Sequence, residues 1–416
     1  MKRIFITFLL IFLCAQLASC DENNQSHIPS DARNATEYGV SAGNTGKENS
    51  ENLQRLIDSL SKDGGIVYIP AGEYEFAENG TQTIGSHCIK MRSNVSIIGD
   101  GENTVLKPVG ESSFGLDMFY FNDYLDTGEA HYLENCSFDS FTIDASATSL
   151  KTYTSAGKGF MFNLFRNCHW ERVTVKNTDA TGFGVDCPID SSITDCTAIG
   201  CGKAANVNNG GASGFGIGFG YADGESITIT HCNARNNRKF GFFFEHQGRF
   251  NPKKYSAYEL HGFNVSDCIA TDNLYNFGGI CASDVLYENC SSESAGQYGF
   301  YFENSTDSSA VRCRSTSELD TSFVIRQSDG YSTGGVCFED CNASSTPHGV
   351  KIMNDGSEVF KSATVKGCTF SGIELYTVLT SGSLQSLSLV SNTSNLNKNL
   401  LEAEIITLEN SKNSWN

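Results

Sequence analysis

The chain has 416 residues and a formal net charge of −19, with 28 Phe and 41 Gly but only 6 Pro. This composition indicates one folded chain with enough large side chains for a long core, and it excludes a disordered protein. The negative charge repels phosphate backbones and anionic membrane surfaces, so it excludes nucleic acid as a partner. It also disfavours long anionic glycans, except where basic residues cluster.

The first 19 residues predict a lipoprotein signal peptide. Two basic residues precede an apolar run from Ile4 to Leu13, which is too short to span a bilayer. Leu17-Ala18-Ser19-Cys20 then resembles the lipobox of bacterial lipoproteins, which implies that Cys20 carries the lipid. The polar segment 20–30 is predicted to be a tether, and its acidic start resembles the export signal of Bacteroidetes surface lipoproteins. We therefore expect an outer-membrane protein that faces the cell exterior and meets the membrane through its lipid alone.

Residues 31–108 predict an N-terminal cap and the first coils of a repeat. One predicted helix places its apolar residues on a single face, namely Leu53, Leu56, Ile57 and Leu60. Asn49 or Ser50 is the predicted N-cap, and Gly64-Gly65 would end the helix. A strand over Ile66–Ile69 and a turn over Pro70–Gly72 follow.

Nine cysteines recur 22 to 36 residues apart, each after a polar pair and a glycine-aromatic strand such as GFGVD or GFFFEH: Cys136, Cys168, Cys196, Cys232, Cys268, Cys290, Cys313, Cys341 and Cys368. No helical repeat fits, so the pattern predicts an all-β solenoid of stacked coils about 4.8 Å apart. The coils would occupy 109–372, with the last coils and a C-terminal cap in 373–416. We expect one buried column of reduced thiols. Better candidates for a disulfide are the cysteines outside this column, namely Cys187, Cys201, Cys281 and Cys337.

The stretches GGIVYIPAGEYEF and SNVSIIGDGENTVLKP, the latter over Ser93–Pro108, resemble the pectate-lyase superfamily. That superfamily includes polygalacturonase-like hydrolases, polysaccharide lyases, alginate epimerases and phage tailspikes. The resemblance implies a single-stranded right-handed parallel β-helix, pectin-lyase-like, with a short N-terminal helical cap and a polysaccharide partner. Function does not follow from such a fold, because one scaffold carries several chemistries.

No complete catalytic signature of these relatives is present in the sequence. The paired aspartates, Gly-His-Gly and Arg-Ile-Lys of polygalacturonase-like hydrolases are missing. GFGVDCPID is similar to a mannuronan C5-epimerase strand that ends in Asp-Pro-His, and Asp186 stands at the matching place. Cys187-Pro188-Ile189 then supplies no histidine, so the epimerase match stops at Asp186.

Strand alternation predicts a candidate site independently of the resemblance, because alternate residues of each repeated strand point outward. One outward column contains Asn163, Asp186, Gly218, Glu245, a residue near Cys281, Glu303 and Arg326. The neighbouring column contains Met161, Gly184, Gly216, Phe243, Tyr301, Val324 and Lys351. The glycines would open a shallow pocket between Asp186 and Glu245. These two carboxylates would lie two coils, or roughly 9 to 10 Å, apart, near the upper end of the ~6.5 to 9.5 Å used by inverting glycosidases. Ordinary solvated acids on an exposed sheet are the alternative.

A basic and aromatic insertion follows Glu245 directly, running from His246 to Tyr255. Its His246 and Lys254 are candidate catalytic groups, since a lyase or epimerase needs a base for the C5 proton and a cation for the uronate. The predicted substrate-binding residues are Arg249, Tyr255, Phe243, Tyr301, Glu303 and Arg326. The segment 200–213 would form a second wall, and a solvated loop is the alternative for the insertion.

The histidines are scattered without metal-type spacing, so the sequence predicts no metal site and no cofactor, while the many acids leave calcium open. Glycoside hydrolysis is the first functional hypothesis. A polysaccharide lyase or C5-epimerase on uronate-containing glycans is the second, and a non-catalytic glycan-binding or adhesive β-helix is the third. The oligomeric state is not predicted.

Overall fold

The structure, a computed structural model, describes residues 28–415 apart from 124–126, 129–130, 207, 209–211, 222–223, 248–260 and 397. Strands pair in parallel with strands one coil further along the chain, as Phe183 does with Phe215 and Phe215 with Phe242. The chain is therefore a right-handed parallel β-helix, as predicted. None of the helices among the described residues is long and apolar enough to cross a bilayer.

The coils build three parallel faces. The site face holds Gly85–Lys90, Leu116–Phe121, the start of Phe160–Lys176, Phe183–Ile189, Phe215–Phe219, Phe240–His246, Tyr275–Ile280, Tyr298–Glu303, Thr321–Gln327, the ends of Asn342–Asn354 and Thr369–Ser381, and Asn399–Leu401. The second face holds Gly65–Ile69, Val95–Gly99, Leu133–Asp144, the middle of Phe160–Lys176, Ser191–Thr194, Glu225–Thr230, His261–Ser266, Val285–Glu288, Ser309–Val311, Val336–Glu339, Phe360–Lys366, Ser383–Val390 and Glu404–Ser411.

The third face completes each coil. It holds Gly72–Phe76, Thr104–Pro108, the ends of Leu133–Asp144 and Phe160–Lys176, Thr197–Ile199, Asn233–Arg235, Ile269–Thr271, Ser291–Glu293, Arg314–Thr316, the starts of Asn342–Asn354 and Thr369–Ser381, Thr393–Ser394 and Ser414–Trp415. Arg33–Asn34 pairs with Gly65–Ile69 at the edge of the second face, and Gly80–Gln82 pairs with Gly85–Lys90 at the edge of the site face. Gly110–Ser112 and Thr148–Leu150 form a separate two-stranded sheet. Phenylalanines stack between coils inside the faces, as Phe183, Phe215 and Phe242 do at 4.7 Å between ring centroids.

An α-helix over Gly46–Leu60 covers the N-terminal end of the core, and two short 3-10 helices span Ala35–Tyr38 and Gly101–Asn103. The helix starts earlier than predicted, so the predicted N-cap is wrong. Thr45 is the cap: its hydroxyl accepts the Glu48 N–H, and the Glu48 carboxylate accepts the Thr45 N–H. This capping box satisfies two backbone donors at once.

The nine recurrent cysteines form two columns and not the predicted single column. Seven stack at the corner between the second and third faces, namely Cys196, Cys232, Cys268, Cys290, Cys313, Cys341 and Cys368. Cys136 stacks on Cys168 at the corner before the second face. Ser191 continues that column, and its hydroxyl accepts the Cys168 N–H. Repeat spacing did not separate the columns, because both corners place a polar residue before the cysteine.

The residue before each of these cysteines adopts a left-handed conformation, for example Asn135 with φ 56° and Asp195 with φ 51°, and before Cys368 it is Gly367. Asn and Asp tolerate this region better than most residues. The thiol that follows donates to the carbonyl two residues earlier, as Cys232 does to Thr230 at 3.2 Å. The cysteine therefore closes the corner by hydrogen bonding as well as filling space.

The described cysteines are all free thiols, including the four disulfide candidates Cys187, Cys201, Cys281 and Cys337. The prediction of reduced column thiols is confirmed among these residues, and no bridge joins the four candidates. Burial raises the pKa of Cys232 well above its usual value, which keeps that thiol protonated and unreactive.

Candidate active site

The two predicted outward columns are present on the site face. Asn163 pairs with Asp186, Gly218 with Glu245, and Glu303 with Arg326. Ile280 occupies the position that the sequence left unassigned. Asp186 and Glu245 therefore lie two coils apart, with Gly218 on the strand between them.

A pocket of about 250 Å³ opens between these carboxylates. Its floor contains the predicted glycines, and its wall contains residues that the sequence argument did not name. The lining residues are Ile84, Ser155, Lys158, Met161, Thr181, Gly184, Asp186, Gly216, Ile217, Gly218, Phe243, Glu245 and Gln247. A concave site with a few convergent polar groups is the usual form of a ligand pocket.

Gly218 makes room for the polar end of the pocket. A Cβ at this position would lie 2.5 Å from Asp186 Oδ1 and 2.5 Å from Gln247 Nε2. The Gly218 N–H donates to Asp186 Oδ1 at 2.7 Å. Only a residue without a side chain therefore allows both groups to reach across this strand.

Asp186 is a carboxyl group with two opposing influences on its pKa. Burial raises the pKa above the usual value, while the Lys158 ammonium and the Gly218 N–H oppose the rise by favouring the charged form. The net shift is upward, so Asp186 holds its proton to higher pH than an exposed aspartate does. A carboxylic acid that stays protonated is suited to donating a proton.

Lys158 is a charged residue of the pocket that the sequence patterns did not predict. It is 8 % exposed, and its side chain crosses Gly184, where a Cβ would lie 2.9 Å from its Nζ. Buried Asp117 accepts the backbone N–H groups of Gly157 and Lys158 at 2.8 and 2.6 Å, which fixes the backbone at this point. Lys158 directly precedes the glycine that opens its strand, where the next coils carry Thr181 and Ser213. The one sequence feature that could have predicted Lys158 as a pocket residue is its charge, at a position where the next two coils carry neutral residues.

His246, one of the two candidate catalytic residues predicted in the insertion, does not line the pocket. It ends the strand Phe240–His246, and its ring packs against Phe219, at 5.1 Å between centroids, and against Gly220. Strand alternation explains the error, because His246 lies on the opposite side of the strand from Glu245. Lys254, Arg249 and Tyr255 lie outside the described residues.

The other predicted substrate-binding residues occupy different positions relative to the pocket. Phe243 lines it, although the side chain is only 7 % exposed, and Tyr301 is 4 % exposed and lies in a packed cluster. Glu303 accepts hydrogen bonds from the hydroxyls of Tyr301 and Ser328, both at 2.7 Å. Arg326 donates to Asp355 at 2.7 Å. Tyr301, Glu303 and Arg326 are therefore further along the site face and not in the pocket.

The predicted second wall is not formed by the segment 200–213, since none of its described residues lines the pocket. The wall comes instead from nearer the N-terminus, where Ile84 and Ser155 stand. Three loops meet there, because the Thr154 hydroxyl lies within donating distance of the carbonyls of Ile84 and Phe114, at 2.6 and 2.8 Å. Within the described part of the chain, no three His, Cys, Asp or Glu side chains are grouped to hold a metal ion.

Comparison with solved structures gives neighbours that share this fold. The A-module of mannuronan C-5 epimerase AlgE6 from Azotobacter vinelandii aligns with a TM-score of 0.67 at 19% identity, over 92% of this chain and 99% of that one. An exopolygalacturonase from Thermotoga maritima aligns with a TM-score of 0.55 at 12% identity, over 88% and 93%. A tailspike of E. coli bacteriophage HK620, solved with a pentasaccharide, aligns with a TM-score of 0.56 at 13% identity, over 92% and 66%.

No curated protein matches the chain. A family profile described as rhamnogalacturonase A/epimerase, pectate lyase-like, matches residues 32–247, just over half of the chain, and ends after the last strand of the pocket. The fold is the parallel β-helix that these structures share. The chain belongs to the rhamnogalacturonase A/epimerase, pectate lyase-like family.

Proposed function

We propose that the protein hydrolyses a polysaccharide in the pocket between Asp186 and Glu245. The observation that carries the proposal is that two carboxylates from strands two coils apart line one pocket, with glycines on the strand between them. At about 4.8 Å per coil, the backbones of these residues are roughly 9 to 10 Å apart. This backbone separation is comparable with the ~6.5 to 9.5 Å between carboxyl groups at which inverting hydrolysis accommodates a water.

In this proposal Asp186 is the general acid and Glu245 the general base. The raised pKa of Asp186 favours its protonated form, which would protonate the leaving glycosidic oxygen. Glu245 would take a proton from the attacking water on the other side of the sugar ring. The reaction needs no cofactor, and the residues named here are not arranged as a metal site.

Lys158 favours a second candidate, which is elimination or epimerisation on a uronate-containing glycan. An ammonium inside the pocket can offset the carboxylate charge of a uronate, a requirement of both reactions. Two of the structural neighbours are a mannuronan epimerase and an exopolygalacturonase, which also supports an acidic glycan. The third candidate, glycan binding without catalysis, is supported by the tailspike solved with a pentasaccharide.

The proposal also includes the protein's location in the cell. A lipid on Cys20 would hold the domain at the outer membrane, on the side where extracellular polysaccharide is available. Calcium dependence is open, and activity measured before and after treatment with a calcium chelator would decide it.

The test is to incubate the protein with polysaccharides, both neutral and uronate-containing, and to follow the products. New reducing ends alone would indicate hydrolysis, unsaturated-uronate absorbance would indicate elimination, and proton exchange without cleavage would indicate epimerisation. We expect Asp186→Asn and Glu245→Gln each to lower turnover by about 10² or more at nearly unchanged thermal stability. Glu339→Gln, on the second face in an ion pair with Lys366, is the matched control.

Full activity in both pocket variants would contradict the assignment of the acid and the base. Binding without any product across the panel would instead favour the glycan-binding candidate.

A further inference from the structure

Aromatic side chains cover the outer surface of the site face next to the pocket. Phe240 stacks on Phe243 with 4.4 Å between ring centroids, Tyr275 contacts Phe240 at 4.8 Å, and Tyr298 stacks on Tyr275 at 5.4 Å. Tyr301 stacks against Tyr275 and Tyr298 at 5.1 and 5.2 Å. We call these five residues the aromatic platform.

The platform has a buried layer and an exposed layer. Phe240, Phe243 and Tyr301 are buried, while Tyr275 and Tyr298 are half-buried and lie over them. The cluster is separate from the main core, which fills the interior of the coils. A contiguous apolar surface outside the core is typical of a ligand-binding groove.

The platform and the pocket are continuous, because Phe243 belongs to both. The pocket lies on the strands from Phe183 to His246, and the platform extends it by two strands toward the C-terminus. On its N-terminal side the pocket is lined by Ile84 and Ser155 from the joined loops. The pocket is therefore bounded by loop residues toward one end of the β-helix and continued by aromatic rings toward the other.

We infer that Tyr275 and Tyr298 bind the sugars next to the one held in the pocket, so that the polysaccharide runs from the pocket toward the C-terminal coils. The inference rests on the proposed function for the position of the reacting sugar. Aromatic rings pack well against the apolar faces of sugar rings, and a buried layer that holds them in place lowers the entropic cost of binding. Rings on successive coils repeat at about 4.8 Å along the axis, so successive sugars can meet successive rings.

Binding to oligomers of defined length tests the inference. The probes are mannuronan, galacturonan and neutral glucan oligomers from dimer to octamer, titrated into the full-length protein by calorimetry. For the wild type we expect affinity to rise with length. The double variant Tyr275→Ala/Tyr298→Ala is expected to bind the longest oligomers about tenfold or more weakly, with the smallest loss for the dimers, which have only one sugar outside the pocket.

Two variants control for the loss of the rings. Tyr275→Phe/Tyr298→Phe keeps both rings without their hydroxyls and is expected to retain the length dependence. Tyr38→Ala removes a tyrosine that is 43 % exposed in the N-terminal cap and is expected to bind like the wild type. The melting temperature of each variant shows whether it is folded.

The outcomes separate this inference from the proposed function. Unchanged length dependence in the folded alanine variant would overturn the platform and leave the pocket chemistry standing. Loss of length dependence, together with full turnover by Asp186→Asn, would support the platform and overturn the proposed hydrolysis. No binding of any oligomer by the wild type would overturn both.

Discussion

At the scale of single residues, the chemistry of Asp186 depends on its neighbours. Gly218 gives its carboxylate space and an N–H donor, and Lys158 places a positive charge nearby. Burial alone would favour the neutral acid strongly, while the ammonium keeps the charged form accessible. The pocket thus holds a carboxyl group whose protonation state responds to the charges around it.

Replacement of Lys158 by Met tests this coupling. The ammonium lowers the pKa of Asp186, so its removal should raise that pKa further. If protonated Asp186 is the acid, the rate falls as pH rises through its pKa, and the alkaline limb of the pH–rate profile should move to higher pH in Lys158→Met.

Lys107→Met, which removes an ion pair with Glu73 at 3.0 Å far from the pocket, is the control. An alkaline limb that stays in place or moves to lower pH would contradict the proposed role of Asp186.

At the scale of elements, each corner between the second and third faces is closed by a left-handed residue and a short polar side chain. Cys232 accepts the Cys196 N–H at 3.4 Å and donates to Thr230. Past Cys368 the column continues with Asn392, whose Oδ1 accepts the Cys368 N–H at 2.9 Å. The Cys232 thiol and the Asn392 amide thus have the same role, because each accepts a hydrogen bond from a buried backbone N–H at the corner.

Substitutions of Cys232 measure how much this hydrogen bonding contributes to the free energy of unfolding. Cys232→Ala should lower the free energy of unfolding by about 1–3 kcal/mol, because the buried Cys196 N–H loses its acceptor. Cys232→Ser should cost less, since the hydroxyl finds the same carbonyl and N–H partners. Urea unfolding of the two variants at one pH gives both values. A serine variant less stable than the alanine variant would show that the buried hydroxyl does not find these partners, and would contradict the hydrogen-bonding role of the thiol.

At the scale of the whole molecule, the β-helix carries the pocket and the platform on one face, and we propose that a lipid on the N-terminal segment holds that face at the outer membrane. The net charge of −19 keeps the domain away from anionic surfaces, so membrane attachment by the domain itself is disfavoured. A covalent lipid is the expected means of attachment.

Replacement of Cys20 by Ala tests the anchor. The variant should leave the outer-membrane fraction for the soluble fraction, because the acceptor of the lipid is lost. Fractionation followed by immunoblotting measures the change, with Cys281→Ala, a cysteine of the folded domain, as the control. A Cys20→Ala protein that stays with the membrane would show that the lipoprotein prediction is wrong.

The sequence by itself determined the coil repeat, the alternation of each strand and the position of Asp186 and Glu245 in one column. These features follow from local rules: side chains alternate along a strand, and equivalent residues of successive coils stack. The prediction that His246 is a catalytic residue of a loop was wrong. His246 is still part of the strand, so its side chain points to the opposite side from Glu245.

Only the tertiary structure decided which residues complete the pocket. Lys158, Ile84 and Ser155 come from corners and loops, where no period governs the direction of a side chain. The separation of the cysteines into two columns also needed the pairing of strands, since a spacing along the chain does not distinguish two corners with the same local conformation. The layering of the aromatic platform depends on burial by neighbouring coils, and burial is a property of the assembled fold.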